Sequence, residues 1–315
     1  MGSEKKTVIV DCDPGHDDAI ALILALADPE ITVRAVTTVH GNGSVEDMTQ
    51  NALMILELCG RADIPVAAGA AVSMLGNFSP GQRVHGKTGM DGHGLPAPVT
   101  KPSSLSAVQL MEQVVGTSDT PVTIIAMGAL TNVAVFLLAN PQLRQNIACI
   151  SMMGGACEEG NSTAVAEANI WKDPEACHVV FESGIPIELY GLNVTHQALI
   201  LKEEIPMFRQ GKGKVTRLVG ELLDYFARYY TEKGGLPGCP IHDGCAVAGL
   251  INPRLFDYEY MQMGVDLYGT ATRGAIDFDL RTEPRRDWPY TGKAAVHIQR
   301  EAFVKMIFDS CESFH

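Results

Sequence analysis

Four carboxylates, Asp11, Asp13, Asp17 and Asp18, fall within eight residues in the stretch VIVDCDPGHDDAIALILAL, residues 8–26. Asp11 and Asp13 are two apart and share one face of an ideal strand. Pro14 and Gly15 then turn the chain. Asp17 and Asp18 open a helix, where the dipole and the free N–H groups favour negative charge. An N-cap role accounts for one aspartate or two. Four facing one another raise each other's pKa unless a cation neutralises them. The donors are oxygens, with no nearby Cys or His pair, so the chemistry is that of a hard ion, calcium or magnesium, rather than zinc. The stretch is not an EF-hand, because Leu22 stands where the loop's last glutamate belongs. It also departs from the aspartate-nucleophile phosphotransferases, since Pro14-Gly15-His16-Asp17-Asp18 replaces their Thr or Val and Gly-rich turn.

These residues need a scaffold, and the flanking pattern supplies one. TVIVD (7–11) precedes a helical run from about Asp17 to Asp28, and ITVRAVTTVH (31–40) precedes VEDMTQNALMILELC (45–59). PVAAG closes that unit. PVTIIAMG (121–128) leads to LTNVAVFLLAN, ACISMMGG (148–155) to PEACHVVFES, and PIELYGLN (186–193) to a longer helical region. Apolar strands alternating with helices predict an α/β fold, a mostly parallel central sheet flanked by helices and doubly wound in a Rossmann-like manner. Ligands of such sheets bind beyond the carboxyl ends of the strands. Asp11, Asp13, Asn42, Met127 and Gly154 all lie at or just past such ends. Residues 70–104 lack a periodic pattern, and six glycines fall between Gly76 and Gly94. A loop this long in one compact domain, residues 1–315, is expected to be an active-site lid.

Composition narrows the partners. The chain has 315 residues, of which 46% are hydrophobic and 19% charged, ample for a sizeable core. A formal net charge of -13 argues against nucleic acid and anionic membranes and leaves a small neutral substrate open. None of the eight cysteines has CxxC spacing, and several sit in apolar runs as reduced, buried thiols. The start passes straight into a strand, and AIALILALA is too short to span a bilayer, so a cytoplasmic protein is expected.

Asp-x-Asp-Pro-Gly-x-Asp-Asp-Ala resembles the fingerprint of the inosine–uridine nucleoside hydrolases, which cleave the N-glycosidic bond of ribonucleosides. Five further stretches continue the resemblance in order: TTVHGN (37–42), GALTNVA (128–134), MMGGACEEGNSTAVAEANIWKDPEA (152–176), GLNVTHQ (191–197) and PIHDGCAVA (240–248). The resemblance implies a calcium ion at the strand ends, held by Asp13, Asp18, Asp243 and the main-chain carbonyl of Met127, with Asp11 in support. It implies that Asp17 accepts hydrogen bonds from the ribose, and that Asn42, Asn161, Glu167 and Asn169 bind the remaining sugar hydroxyls. Calcium takes six to eight oxygens and lowers the pKa of a bound water, whose proton Asp13 can accept. The departing ribosyl group passes through an oxocarbenium-like transition state, as in O-glycoside hydrolysis. His242, next to Asp243, is expected to approach the base and protonate it. His85 in the lid and Tyr230 near the end of a long helix are expected to flank the base. His16, His178, His196 and His297 are read as structural. Two positions depart from the common pattern: Met127 stands where a Thr or other small residue is usual, and Asn193 replaces the Asp of GLDVT.

Two other functions compete. A magnesium phosphohydrolase would use Asp11 as nucleophile and would need a phosphate-binding cation, for which Lys87 is the sequence's weak candidate. A non-catalytic ribose- or nucleoside-binding protein would need no metal. The leading expectation is a calcium-dependent ribonucleoside hydrolase of nucleoside salvage, a homodimer or homotetramer, acting on a small-molecule ribonucleoside.

Overall fold

The computed structural model describes residues 5–77, 82–279 and 291–314. Its elements begin with β1 (Lys6–Cys12), α1 (His16–Ala27), β2 (Ile31–Thr38), α2 (Val45–Leu58), β3 (Val66–Ala68), α3 (Gln82–His85) and α4 (Ala107–Thr117). β4 (Val122–Ala126), α5 (Thr131–Ala139), β5 (Ile147–Met153), α6 (Ala168–Lys172), α7 (Pro174–Phe181) and β6 (Ile187–Tyr190) follow. The chain continues with α8 (Leu192–Thr195), β7 (Leu199–Leu201), α9 (Ile205–Arg209), α10 (Lys214–Glu232), β8 (Gly238–Pro240) and α11 (Gly244–Ile251). It ends with β9 (Phe256–Met261), β10 (Met263–Val265), β11 (Ile276–Phe278), β12 (Gly292–Ile298) and α12 (Arg300–Glu312).

Eight strands form one sheet in the order β3-β2-β1-β4-β5-β6-β12-β9. Every neighbouring pair is parallel except β12 with β9. The expected mostly parallel, doubly wound sheet is therefore present, with an antiparallel edge added by the C-terminal region. Alternation along β1 sends Val8 and Val10 into a core with α1, α2, α10, α11 and α12, and Ile9 into a core with α4, α5 and α7. α1 is buried along its whole length from His16 to Leu26, so it packs as an interior helix, against α11 and α12 among others.

The strand order reverses between β1 and β4. β2 and β3 lie to one side of β1, while β4, β5 and β6 lie to the other. Ligands of doubly wound sheets bind at such a switch point, beyond the carboxyl ends of the strands. Asp11 pairs with Ala126 and Thr37 in the ladder, and Met127 N donates to Asp11 O at 2.8 Å. The carboxylate cluster thus lies across the crevice by construction.

The long helical region expected after β6 is broken. α8, β7 and α9 precede α10, and the breaks fall beside Pro206, Gly211 and Gly213, residues that interrupt or start helices. Within the 70–104 segment the structure adds the short α3; residues 78–81 of that segment lie outside the described residues. All eight cysteines are free thiols. Among the described residues no helix is long and apolar enough to cross a membrane.

Candidate active site

The turn from β1 into α1 folds back on itself. Asp18, the third residue of α1, accepts from Asp13 N at 3.2 Å with Oδ1 and from Gly15 N at 3.0 Å with Oδ2. Asp243 stands at the N-terminus of α11. Carboxylate oxygens of Asp17, Asp18 and Asp243 come within 4.8 Å of one another, and all three residues are buried. Asp13 stands beside this trio. Its Oδ2 accepts from Asn42 N at 2.8 Å and from Lys172 Nζ at 3.1 Å. Its Oδ1 is buried with no hydrogen-bond partner among the described residues. Asp11 lies behind, its Oδ1 accepting from Thr37 Oγ1 at 2.6 Å and Asn132 Nδ2 at 2.8 Å, its Oδ2 likewise without a donor.

Burial pushes the Asp11 and Asp17 carboxyls up to about 7. Burial also raises Asp13, and burial with mutual repulsion raises Asp18 and Asp243. Buried carboxylate oxygens without donors are what a hard cation satisfies, so these residues fit a divalent ion bound through oxygen. Met127 O accepts from Asn169 Nδ2 at 2.8 Å, and its second lone pair remains available.

The other polar candidates gather around the same cluster. Asn42 Nδ2 donates to Asp13 O at 3.0 Å and to Asp18 Oδ2 at 3.3 Å. Glu167 caps α6, accepting from Gly155 N at 3.0 Å, Asn169 N at 2.9 Å and Ile170 N at 3.3 Å. Asn161 is the exception: it is exposed and not brought to the carboxylates, and its Oδ1 accepts from Ala168 N at 2.8 Å, the residue after Glu167.

An aromatic wall faces them. The His16 ring stacks on Tyr225 at 5.0 Å and on Phe226 at 5.3 Å, and His85 packs on Phe226 at 5.2 Å. His16 Nε2 meets Asp91 O at 2.8 Å and His16 Nδ1 meets His85 Nδ1 at 3.1 Å. A carbonyl only accepts, so Nε2 carries the His16 proton. Burial lowers His16 to about 4, so the ring is neutral and its Nδ1 is an acceptor. His85 Nδ1 accepts from the His16 backbone N–H at 3.2 Å, so the neutral His85 ring carries its proton on Nε2. Farther along the wall, His242 Nδ1 meets Thr195 Oγ1 at 2.7 Å and its Nε2 meets Tyr230 OH at 3.1 Å. Burial, reinforced by His196, lowers His242 to about 3.

A family model described as inosine-uridine preferring nucleoside hydrolase matches residues 8–305. The chain belongs to this family. It is 45% identical over 311 residues to the pyrimidine-specific ribonucleoside hydrolase RihA of Shewanella sp. (strain ANA-3), covering 97% of this chain and 96% of that protein. It is 43% identical over 305 residues to RihA of Escherichia coli O1:K1 / APEC, covering 96% of this chain and 97% of that one. Among solved structures, the purine-preferring ribonucleoside hydrolase from Gardnerella vaginalis superposes with a TM-score of 0.91 at 30% identity, covering 98% of this chain and 99% of that chain. The hydrolase acts on the N-glycosidic bond of ribonucleosides, and its family is metal-dependent.

The structure brings Asp11, Asp13, Asp17, Asp18, Asn42, Met127, Glu167, Asn169 and Asp243 to one end of the sheet, and His85, Tyr230 and His242 to the aromatic wall. Lys87 is exposed. Asn193 Nδ2 donates to Ala295 O at 3.0 Å, tying α8 to β12. Five participants carry no role in the sequence reading: Lys172, Asn132, Thr37, Thr195 and Tyr225. Asn132, Lys172 and Thr195 stand inside the motifs GALTNVA, NIWKDPEA and GLNVTHQ, so their positions were visible although their contacts were not. His16, read as structural, orients His85 across 69 residues of sequence.

Proposed function

We propose that this hydrolase cleaves pyrimidine ribonucleosides to ribose and free base, using a calcium ion held by Asp13, Asp18, Asp243 and the Met127 carbonyl. The buried, donor-poor carboxylate cluster at the switch point carries the reading. When bound, the ion would supply a water of lowered pKa and an anchor for two ribose hydroxyls. Asp13 takes a proton from the attacking water on Oδ1, the oxygen without a donor. Asp17 accepts from a ribose hydroxyl, and Asn42, Asn161, Glu167 and Asn169 hold the others. The backbone N–H groups that fix Glu167 orient its carboxylate before substrate arrives. The carboxylates around the ring then stabilise the positive charge that grows on the sugar.

His242 donates a hydrogen bond from Nε2 to the departing base, stabilising the negative charge that grows there, and a proton passing across that bond is replaced at Nδ1 from the Thr195 hydroxyl. With Thr195 donating to Nδ1, the neutral ring carries its proton on Nε2, beside Tyr230. Tyr230 and His85 flank the base, and the 70–104 segment closes over it. The chain works as a single domain, in the cytoplasm, as a homodimer or homotetramer. Pyrimidine preference is supported by relatives 43–45% identical over nearly their full length that are named pyrimidine-specific.

The test is kcat/KM for uridine, cytidine, inosine and adenosine, in calcium, after EDTA, and after calcium is restored. Uridine and cytidine should exceed the purines by roughly tenfold or more, within the discrimination one pocket can supply. EDTA should abolish turnover and calcium should restore it. A purine optimum overturns the base assignment; activity indifferent to EDTA overturns the metal.

A further inference from the structure

Lys172 ends α6 and its side chain is only 6% exposed. Its ammonium lies 3.1 Å from Asp13 Oδ2 and 3.5 Å from Asn169 Oδ1. A buried ammonium persists only where charges and hydrogen bonds compensate it. The backbone makes room for this pair: a Cβ on Gly41 would sit 1.8 Å from Asp13 Oδ2 and 2.9 Å from Lys172 Nζ. We propose that Lys172 is a built-in cation of the metal site, holding Asp13 in the metal-free protein and opposing the divalent ion that binds there. The inference rests on the metal site proposed above.

The two oxygens of Asp13 divide the work. Oδ2 is committed to Lys172 and to the Asn42 amide, while Oδ1 has no donor and faces Gly128, where a Cβ would lie 2.7 Å away. One ammonium therefore offsets part of the charge of five clustered aspartates and keeps Asp13 in place before any ion arrives. The same ammonium repels the ion once it is bound. Lys172 thus exchanges affinity for a site that is already assembled without metal, and the ion binds reversibly rather than as a condition of folding.

Lys172→Met removes the charge and keeps the length; Lys172→Arg keeps the charge. Calcium affinity is measured by titration calorimetry, and Tm in EDTA and in saturating calcium. Removing a unit charge a few ångströms from a divalent ion should tighten Kd by roughly tenfold or more. The Tm of Lys172→Met in EDTA should fall, because Asp13 loses its counter-ion, while the calcium-loaded Tm should hold. The gap between the two conditions widens, and Lys172→Arg keeps the wild-type gap. Unchanged or weaker calcium binding by Lys172→Met, with an unchanged gap, would overturn the proposal. If that variant fails to fold without metal, Lys172→Gln, which retains a hydrogen bond to Asp13 without charge, gives the same affinity comparison. Wild-type affinity in Lys172→Gln sinks the proposal equally. A wild-type protein that binds no calcium and ignores EDTA would instead overturn the metal reading itself.

Discussion

On the carboxylate side of the cleft, Asp11, Asp13 and Met127 stand at the ends of β1 and β4, adjacent central strands whose ladders fix them. On the aromatic side, His85 ends the short α3, just before the loop to Asp91, while Tyr225 and Tyr230 come from α10 and His242 from the turn before α11. The first side is held by backbone pairing and short polar contacts, the second by ring stacking and a loop that folds around Asp91. Strand ends position groups within a narrow tolerance, whereas stacked rings and loops give more readily. The carboxylate side should therefore fail all at once when broken. The aromatic side should fail in degrees, and differently for different leaving groups.

The largest loss should follow Asp13→Ala. It removes a proposed ligand and the proposed base together, so kcat on uridine should fall on the order of 10⁴-fold or more. Calcium content, measured by metal analysis, should fall with it. Retention of both by this variant would mean that the two sides do not differ as described. Substrate discrimination probes the same side without a mutation. A site built to hydrogen-bond a hydroxyl rejects the analogue lacking it by up to ~10⁴-fold. 2′-Deoxyuridine should be cleaved that much more slowly than uridine in parallel kcat/KM measurements, and comparable rates would remove Asp17 from the sugar.

His242→Ala tests the other side by leaving group. Uracil needs a proton to depart and p-nitrophenolate does not. Uridine cleavage should fall ~10²–10⁴-fold, with little change on p-nitrophenyl riboside. Equal losses would mean that His242 only positions Asp243.

The contrast also explains what the sequence disclosed. Asp11 to Asp18 are contiguous, so their crowding is visible in one line of text, and the parallel strands that carry them are near-continuous apolar runs. Asp243, Glu167 and Asn169 were reached through motif resemblance, because nothing local distinguishes a ligand from a solvated charge. Lys172 was missed since a lysine ending a short helix normally points to water, and only the tertiary fold buries it against Asp13, 159 residues away. β12 was missed for a different reason. GKAAVHI opens on glycine, lysine and two alanines, none of which favours a strand, and it becomes one by pairing between β6 and β9.

A smaller effect should come from acid. Burial holds His16 and His40 neutral, lowering each to about 4. A base whose folded pKa lies below its unfolded value gives full stability above the unfolded pKa and loses it as pH falls toward the folded one. Between about pH 6.5 and 4 the unfolded chain binds these protons and the folded chain does not. The Tm of the calcium-loaded protein should therefore fall steadily from pH 7 to pH 5, and His40→Gln should flatten that slope; a slope unchanged in this variant would exclude His40 as a source.

The smallest expected effect lies in the loop that follows His85. Asp91 accepts from Lys87 N at 2.9 Å, Thr88 N at 3.0 Å and Thr88 Oγ1 at 2.6 Å, and so closes the turn after His85. These bonds are solvent-exposed, so water replaces them when they are lost, and each contributes only about 1 kcal/mol or less. Asp91→Ala keeps the backbone carbonyl that receives the His16 proton, so the tautomers of His16 and His85 should survive. What loosens is the path of the loop. A wall that is less ordered before substrate arrives binds it more weakly without altering the reacting groups. KM for uridine should rise roughly threefold to tenfold, with kcat nearly unchanged and calcium affinity intact. Gly86→Ala should act in the same direction, because Gly86 has φ of +86° and a Cβ there would lie 2.3 Å from Asp91 Cγ. If Asp91→Ala lowers kcat and calcium affinity together, the aromatic side also supports the carboxylates, and the independence of the two sides of the cleft is lost.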